Sequence, residues 1–328
     1  MMDRFFRNRK VLITGGLGFI GSNLARRLVE LGSDVLLVDS LIPEYGGHPF
    51  NIAGIENQVR VNISDVRDVH SMRYLVQDRD VMFNLAGQTS HMDSMEDPFA
   101  DLEINCRAQL SILETCRRYN PGIKVVFAST RQIYGRPETL PVDETHLLRP
   151  VDVNGINKMA GEWYHILYNN VYDIRACALR LTNTIGPRMR VKDARQTFVG
   201  LWIRCLLEGR PFEVWDGDQR RDFTYVDDAI DGFLLAAASD SANGRAFNLG
   251  GDAPTTLRDL AEMLVAINKG GRFEVRAFPP DRKRIDIGDF YANFTLAREV
   301  LGWRPKVGLQ EALEKTLAYY REHLPRYV

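Results

Sequence analysis

Residues 10–22, KVLITGGLGFIGS, join a short apolar run to glycines at three-residue spacing. The apolar residues 11–13 are typical of a strand buried in a parallel sheet. Gly15, Gly18 and Gly21 follow, and a helical pattern begins directly after them. Glycines let the backbone turn tightly and approach a pyrophosphate, and the start of a helix offers free N–H groups to phosphate oxygens. The stretch therefore predicts a strand, a phosphate-binding turn and the N-terminus of a helix.

The next apolar segment, VLLVD at 35–39, predicts a second strand that ends on Asp39. An acidic residue at this position accepts hydrogen bonds from the adenosine ribose of NAD and repels the 2′-phosphate of NADP. A glycine triplet alone is a weak signal. The flanking strand and helix, together with this acidic residue, make an ordinary βα turn the weaker interpretation. We therefore predict an α/β chain with a Rossmann-type doubly wound parallel sheet that binds NAD.

The glycine spacing is GxxGxxG, and TGGLGFIGSNL at 14–24 resembles the extended short-chain dehydrogenase/reductase superfamily, in its branch of NAD-dependent nucleotide-sugar epimerases, dehydratases and decarboxylases. The resemblance extends over nearly the whole chain. It implies a Rossmann NAD-binding domain at 1–182, to which 224–250 returns. It also implies a smaller, interleaved C-terminal α/β lobe at 183–328 that binds the nucleotide-sugar.

Small residues close the fourth predicted strand, DVMFNLAG at 80–87, and let a cofactor lie close to the backbone. In the resembled family, an acidic residue and its neighbour after the third strand contact the adenine, which implies this role for Asp65 and Val66. The alternative role for Asp65 is a helix N-cap. The resemblance implies this cofactor-binding set: Gly15, Gly18, Phe19, Ile20, Gly21, Asp39, Asp65, Val66, Leu85, Ala86 and Lys158.

Two segments indicate where the chemistry takes place. His91 follows the fourth strand, at the edge of the sheet where ligands bind, and is therefore a candidate for lining the sugar pocket; a solvated histidine is the alternative. The segment STRQIYG at 129–135 resembles the family's catalytic Ser/Thr segment. The resemblance implies that Ser129 and Thr130 hydrogen-bond the sugar hydroxyl that is oxidised.

The family's next signature, YxxxK on a helix, is incomplete in this chain. In the family, the tyrosine takes the hydroxyl proton, and the lysine binds the nicotinamide ribose and lowers the pKa of the phenol. The segment VNGINK at 153–158 retains Lys158 but has Asn154 at the tyrosine position. An amide has no usable pKa and cannot act as the general base.

Three hypotheses about this site remain open. In the first, another group takes the proton: Lys158 directly or through water, His91, Tyr134, or the hydroxyls of Ser129 and Thr130 in relay to Lys158. In the second, the enzyme acts on an already activated keto-sugar. In the third, the chain binds NAD without catalysis, as a scaffold. A natural and an engineered replacement of the tyrosine are both compatible with the sequence.

The two residues after Thr130 also depart from the resembled family. Its 4,6-dehydratases carry an Asp-Glu pair there as acid and base, and its decarboxylases commonly keep the glutamate, whereas this chain has Arg131 and Gln132. Neither residue exchanges protons as a carboxylate does, which disfavours 4,6-dehydration. Arg131 either binds an acidic sugar or is a surface arginine.

The second half of the chain contributes four residues to the predicted substrate site. The resemblance implies that the arginine before Asp-Phe in QRRDFTYVDD at 219–228 pairs with a nucleotide phosphate through its guanidinium fork, and Arg221 fits this position better than Arg220. The resemblance places Asn183 against the diphosphate or sugar and Val214 beside the base. It also places a second diphosphate-binding arginine in RKR at 282–284, where Arg284 is favoured over Arg282.

Composition narrows the function classes. The net charge of −1 gives no general attraction to nucleic acid, and no apolar run approaches the length of a membrane span. The four cysteines lack metal-ligand spacing, so we expect no structural metal and a reduced, cytoplasmic protein. The resemblance implies a homodimer that forms through the helices predicted at 101–119 and 155–168.

These observations favour an NAD-dependent nucleotide-sugar epimerase, similar to UDP-glucose or UDP-glucuronate 4-epimerases. Such an enzyme oxidises a ring hydroxyl transiently, and here it would use a non-standard proton acceptor. The alternatives are a nucleotide-sugar-acid decarboxylase, an enzyme that modifies keto-sugars, and a non-catalytic NAD-bound scaffold.

Overall fold

The computed structural model describes residues 2–328 and contains a central sheet flanked by helices, with a smaller lobe built by the second half of the chain. The strands are β1 (Lys10–Thr14), β2 (Asp34–Asp39), β3 (Val59–Ile63), β4 (Val81–Asn84), β5 (Lys124–Thr130), β6 (Ala176–Leu181), β7 (Asn183–Ile185), β8 (Phe212–Trp215), β9 (Arg220–Arg221), β10 (Phe223–Tyr225), β11 (Ala246–Leu249), β12 (Thr255–Thr256) and β13 (Phe273–Arg276). The α-helices are α1 (Met2–Phe6), α2 (Phe19–Glu30), α3 (Val69–Leu75), α4 (His91–Glu96), α5 (Pro98–Leu102), α6 (Ala108–Tyr119), α7 (Val153–Tyr172), α8 (Phe198–Leu207), α9 (Val226–Ala238), α10 (Leu257–Asn268), α11 (Pro280–Lys283), α12 (Thr295–Leu301) and α13 (Leu309–His323).

Seven strands form the main sheet in the order β11-β6-β5-β4-β1-β2-β3, and every neighbouring pair is parallel. The chain runs outward from β1 to β3 and then crosses back to β4 on the other side of β1. The carboxyl ends of β1 and β4 therefore border the crevice in which doubly wound sheets bind ligands. The predicted Rossmann-type α/β sheet is confirmed.

The side chains of β1 alternate between two cores, one on each face of the sheet. Val11 and Ile13 pack on the face covered by α2 and α9. Leu12 packs with Met82 and Val125 on the face covered by α3 and α6. Because both faces are covered, β1 is buried from its second residue onward, and the glycine turn starts from a rigid strand end.

The smaller lobe contains three two-stranded pairs, β7 with β10, β8 with β13, and β9 with β12. Apolar residues of α8, α10 and α13 make its core continuous with one core of the main sheet. Strand β11 returns from this half of the chain and pairs with β6 at the edge of the main sheet. The two parts therefore pack against each other along the carboxyl ends of the main strands.

The outer face of α7 carries apolar side chains that this chain does not cover. Ile156, Trp163 and Leu167 are each about half exposed there. Over residues 2–328, no helix combines the length and the apolar character that crossing a bilayer requires.

Candidate active site

The glycine turn after β1 is tight enough to exclude larger side chains. Gly15 has φ +68°, and a Cβ atom on it would lie 3.0 Å from the backbone nitrogen of Ala86. A Cβ atom on Gly21 would lie 2.2 Å from the carbonyl oxygen of Gly15. The turn therefore brings bare backbone to the first turn of α2, whose N–H groups suit a diphosphate.

Asp39 joins the end of β2 to this turn. Its carboxylate accepts hydrogen bonds from the backbone N–H of Leu17, at 3.0 Å, and of Leu41, at 2.9 Å. Burial raises the pKa of Asp39, and these hydrogen bonds oppose that effect. Asp39 lines the cleft together with the glycine turn. An acidic residue at this place suits the hydroxyls of an adenosine ribose.

Asp65 and Val66 line the same end of the cleft. The Asp65 carboxylate binds the guanidinium of Arg67, with Nε at 2.9 Å, and this hydrogen bond lowers the pKa of Asp65. The alternative role of Asp65 as a helix N-cap is wrong. Helix α3 begins at Val69, and its cap is Asp68, which accepts a hydrogen bond from the backbone N–H of His70.

The described residues fit NAD at this end of the cleft. The glycines put bare backbone and the first turn of α2 at the cleft, which suits a diphosphate, and the acidic residue at the end of β2 lines the same cleft, as a ribose partner would. All eleven predicted cofactor residues line one continuous cleft: Gly15, Gly18, Phe19, Ile20, Gly21, Asp39, Asp65, Val66, Leu85, Ala86 and Lys158.

The two predicted hydroxyl residues at the end of β5 point in different directions, because successive side chains alternate along a strand. Ser129 donates a 2.5 Å hydrogen bond to Glu162, whose carboxylate also pairs with Arg180 in a buried ion pair. Thr130 accepts a hydrogen bond from the backbone N–H of Gln132 and lies at the cleft wall. Both residues line the cleft, but the Ser129 hydroxyl donates its proton to Glu162, whereas the Thr130 hydroxyl accepts a hydrogen bond.

Tyr134 does not reach the cleft. Its hydroxyl donates to Asn248 at 2.8 Å and accepts from Arg180 at 2.6 Å, within a buried cluster. Burial raises the pKa of Tyr134. The hypothesis that this phenol replaces the missing base is therefore wrong.

Asn154 belongs to a buried polar cluster. Its side-chain amide donates to the carbonyl oxygen of Gln88 and to a carboxylate oxygen of Asp101, each at 2.9 Å. Asn105, on the π-helical turn Glu103–Arg107, and Asn157 donate to the same carboxylate at 3.0 and 2.8 Å. Asn154 thus holds a well-paired structural position, although it also borders the cleft.

Lys158 lies one helical turn after Asn154, on the same face of α7, and borders the cleft. Its Nζ donates to the carbonyl oxygen of Ala128 at 3.1 Å. A Cβ atom at Gly87 would lie 2.9 Å from this Nζ, so the glycine leaves room for the ammonium group. Burial lowers the pKa of Lys158 to about 8, and the negative charge of Asp101 opposes that effect.

His91 begins α4 and borders the cleft with about a third of its side chain exposed. Its Nδ1 lies 3.0 Å from a carboxylate oxygen of Asp152, outside the angular range of a good hydrogen bond. Asp152 caps α7 and also accepts a hydrogen bond from Gln132 at 3.0 Å. Burial acts to raise the pKa of Asp152, but contacts with His91, Gly155 and Gln132 outweigh it and hold that pKa below its ordinary value.

Three of the five predicted substrate residues form polar contacts in the structure. Arg131 and Asn183 line the cleft and contact each other, with 3.1 Å between Nη2 and Oδ1. Arg221 is buried in an ion pair with Asp286 at 3.2 Å and also donates to the carbonyl oxygen of Gly288.

The two remaining substrate predictions find no support in the geometry. Val214 is fully buried in the core of the smaller lobe, so its side chain presents no surface to a base. Arg284 is exposed at the end of the four-residue helix α11 and does not line the cleft. Asp101 and Asp152 were not predicted as site residues. Asp101 accepts a hydrogen bond from Asn154 of α7, and Asp152 lies beside His91.

Comparisons with known proteins agree with this geometry. A family model described as the NAD dependent epimerase/dehydratase family matches residues 11–250. A UDP-glucose 4-epimerase from Mycolicibacterium smegmatis is 31% identical over 316 residues, which cover 95% of this chain and 98% of that protein. The structure of a Thermus thermophilus UDP-glucose 4-epimerase in complex with NAD has a TM-score of 0.84 at 30% identity and covers 95% of this chain and 99% of that one.

A second solved structure is similar over the same length of chain. It is a Thermotoga maritima UDP-glucose 4-epimerase with UDP-glucose, with a TM-score of 0.87 at 29% identity over 96% of this chain and 99% of that one. The family match covers more than half of the chain and includes both the glycine turn and the lysine of α7. The chain belongs to the NAD-dependent epimerase/dehydratase family.

Proposed function

We propose that this protein is a nucleotide-sugar 4-epimerase that acts on a UDP-linked hexose. With NAD it would oxidise one ring hydroxyl to a ketone and then reduce that ketone to the epimeric hydroxyl. The observation that carries the proposal is the placement of Thr130, Lys158 and His91 around one cleft whose other end fits NAD. The similarity to UDP-glucose 4-epimerases supports the substrate class. In this proposal, the cofactor is held by residues 1–182 and by the returning segment 224–250. The nucleotide-sugar is held by the lobe at 183–328.

NAD, held by the predicted cofactor residues, would supply reversible hydride transfer to and from one sugar carbon. The residues of the chain hold the sugar and manage the proton. Thr130 hydrogen-bonds the reacting hydroxyl, and Lys158 binds the nicotinamide ribose and stabilises negative charge that develops on the sugar oxygen. The ordered contacts of both residues hold them in place before the substrate arrives.

His91 is the proton acceptor in this proposal. Histidine is the side chain that changes charge between pH 5 and 8, so a neutral imidazole can take a proton at neutral pH. Lys158, with its pKa of about 8, is mostly protonated at pH 7 and serves better as a cation. Asp152 faces Nδ1 and stabilises the imidazolium that forms, which leaves Nε2 to receive the proton.

The proposal is tested with NAD-loaded protein and a panel of UDP-glucose, UDP-N-acetylglucosamine and UDP-glucuronate. We expect NMR spectra to show the 4-epimer of at least one sugar. The final ratio of the two epimers should be the same whichever epimer is added at the start. The absorbance near 340 nm reports any reduced cofactor that accumulates. Calorimetric binding of a sugar without conversion would contradict the epimerase and favour the scaffold.

The proposal also predicts the outcome of restoring the tyrosine. Asn154→Tyr removes donors to Gln88 and Asp101 from a buried site, so we expect the free energy of unfolding to fall by about 1–3 kcal/mol. We expect kcat to stay the same or to fall, because His91 already takes the proton. Urea unfolding and initial rates measure the two effects, with the exposed Asn170→Tyr on the same helix as control. A tenfold rise in kcat would contradict this expectation and show that no other group has replaced the tyrosine as proton acceptor.

We also propose that the protein forms a homodimer through the outer faces of the helices within 101–119 and 155–168. Ile156 and Trp163 are apolar and about half exposed there, and the apolar Leu167 continues the same face of α7. Burying such residues in a symmetric interface would remove them from water. We expect light scattering at micromolar concentration to give twice the 37.4 kDa chain mass. We expect Trp163→Glu to give the mass of one chain.

A further inference from the structure

Arg131 is a half-buried cation at the cleft wall, and one of its guanidinium nitrogens is an unused donor. Its Nη2 donates to Asn183 at 3.1 Å, and its guanidinium carbon lies 5.5 Å from the centre of the Phe290 ring. Its Nη1 is buried and has no hydrogen-bond partner among residues 2–328. Buried polar groups are paired in most native proteins, so a free guanidinium N–H at a cleft wall indicates a partner that arrives with the ligand.

The surrounding charges do not satisfy Arg131. The neighbouring Arg221 is already paired with Asp286, and its positive charge adds to the burial that lowers the pKa of Arg131 to about 10. Asp222 and Asp152 oppose this effect from a distance. The side chain remains cationic at neutral pH, in a place where desolvation strengthens its attraction to any anion that enters.

We propose that Arg131 binds a carboxylate carried by the sugar, so that the preferred substrates are nucleotide-linked sugar acids. This inference rests on the proposed function, because it concerns the substrate of the same site. A guanidinium presents paired N–H groups in one plane, which matches the two oxygens of a carboxylate. Arg131 directly follows Thr130 and lines the same cleft, so an anion bound to it would lie close to the sugar that Thr130 is proposed to hold.

A neutral sugar would leave the same N–H group without a partner. Sites built to hydrogen-bond a polar group discriminate strongly against analogues that lack it. The same anion chemistry could come from a phosphate of the nucleotide, since Arg221 lies nearby. A phosphate is common to all nucleotide-sugars, whereas a carboxylate is present only in the acids, and this difference separates the two sources.

The test measures calorimetric affinities of the NAD-loaded wild type, Arg131→Met and Arg131→Lys for UDP, UDP-glucose and UDP-glucuronate. We expect the wild type to bind the acid at least about tenfold more tightly than the neutral sugar. We expect Arg131→Met to lose about thirtyfold or more of its affinity for the acid alone and to keep its affinity for UDP and UDP-glucose within twofold. Arg131→Lys should recover part of the loss, because it restores the charge without the planar fork.

Three results would overturn the inference. Equal losses for UDP and both sugars assign Arg131 to a phosphate. Unchanged affinities in Arg131→Met show that the side chain binds neither anion. A wild type without preference for the acid shows that the sugar site does not select a carboxylate. Thermal unfolding and NAD binding of each variant exclude a folding defect.

The same samples separate this inference from the proposed function. If the wild type selects the acid but NMR detects no epimer of any sugar, the epimerase is wrong and the carboxylate site stands. If it converts UDP-glucose and UDP-glucuronate with equal affinity and equal rate, the epimerase stands and the carboxylate site is wrong.

Discussion

Lys158→Met is expected to lower kcat by about a hundredfold to a thousandfold, because it removes the cation that stabilises developing charge at the reacting oxygen. The affinity for NAD should fall as well, since the same group is proposed to bind the nicotinamide ribose. Initial rates with the best sugar of the panel and calorimetry with NAD measure the two losses. Lys315→Met removes an exposed lysine of α13 and should leave both values unchanged.

A loss of folding would not explain this result. Burial holds the pKa of Lys158 at about 8, below the value of a free lysine. Protonated Lys158 is therefore less favourable in the folded than in the unfolded chain. This cost is fully present below pH 8 and disappears as the pH rises toward the pKa of a free lysine. We therefore expect the cofactor-free Lys158→Met protein to unfold at a temperature no lower than the wild type at pH 7. Full activity in this variant would show that Lys158 does not organise the site.

The cofactor half of the site could be predicted from the sequence because its determinants are local. The turn geometry of Gly15 and Gly21 follows from neighbouring residues, and Asp39 follows from the end of the next strand. Parallel strands bring their carboxyl ends to one edge of a sheet, so residues near these ends meet in one cleft. The predicted cofactor residues line that cleft for this reason.

The substrate half depends on contacts between distant segments, and there the predictions from sequence were less accurate. Arg221 pairs with Asp286, 65 residues later, and does not line the cleft. The burial of Val214 depends on how β8 pairs with β13. No local pattern contains this information, so a motif that is typical of phosphate binding did not establish where the side chain points.

The structure also gives different hydrogen bonds to Ser129 and Thr130, which the sequence alone could not distinguish. Ser129 and Thr130 both carry hydroxyls and both line the cleft, but the Ser129 hydroxyl donates to Glu162, whereas the Thr130 hydroxyl accepts from the backbone N–H of Gln132. Alternation along a strand is predictable, but which of the two hydroxyls faces Glu162 depends on the register with β4 and β6. Asp101 was missed because its amide partners come from other turns and helices, and isolated acidic residues form no motif.

His91→Gln is expected to lower kcat by about a hundredfold or more while KM for the nucleotide-sugar changes only a few-fold. Glutamine keeps a polar side chain at the start of α4 but cannot take a proton. Initial rates over a series of nucleotide-sugar concentrations separate the effect on kcat from the effect on KM.

Asp152→Asn tests whether the carboxylate acts through His91. Asparagine is also a good N-cap, so α7 keeps its hydrogen bond to Gly155 while the negative charge is lost. The carboxylate stabilises the imidazolium that forms when His91 takes the proton, so its removal should lower kcat about tenfold and leave KM nearly unchanged. A merely structural role for Asp152 would reduce the free energy of unfolding without changing kcat.

The two variants together decide between the remaining proton acceptors. If His91→Gln retains kcat within threefold and the rate rises through about pH 8, the acceptor is Lys158, whose pKa lies there. If His91→Gln is inactive and Asp152→Asn lowers kcat without a loss of stability, the histidine takes the proton and the carboxylate stabilises the resulting imidazolium. The second outcome is expected, because His91 borders the cleft beside a carboxylate 3.0 Å away, whereas Lys158 is bound to the carbonyl oxygen of Ala128.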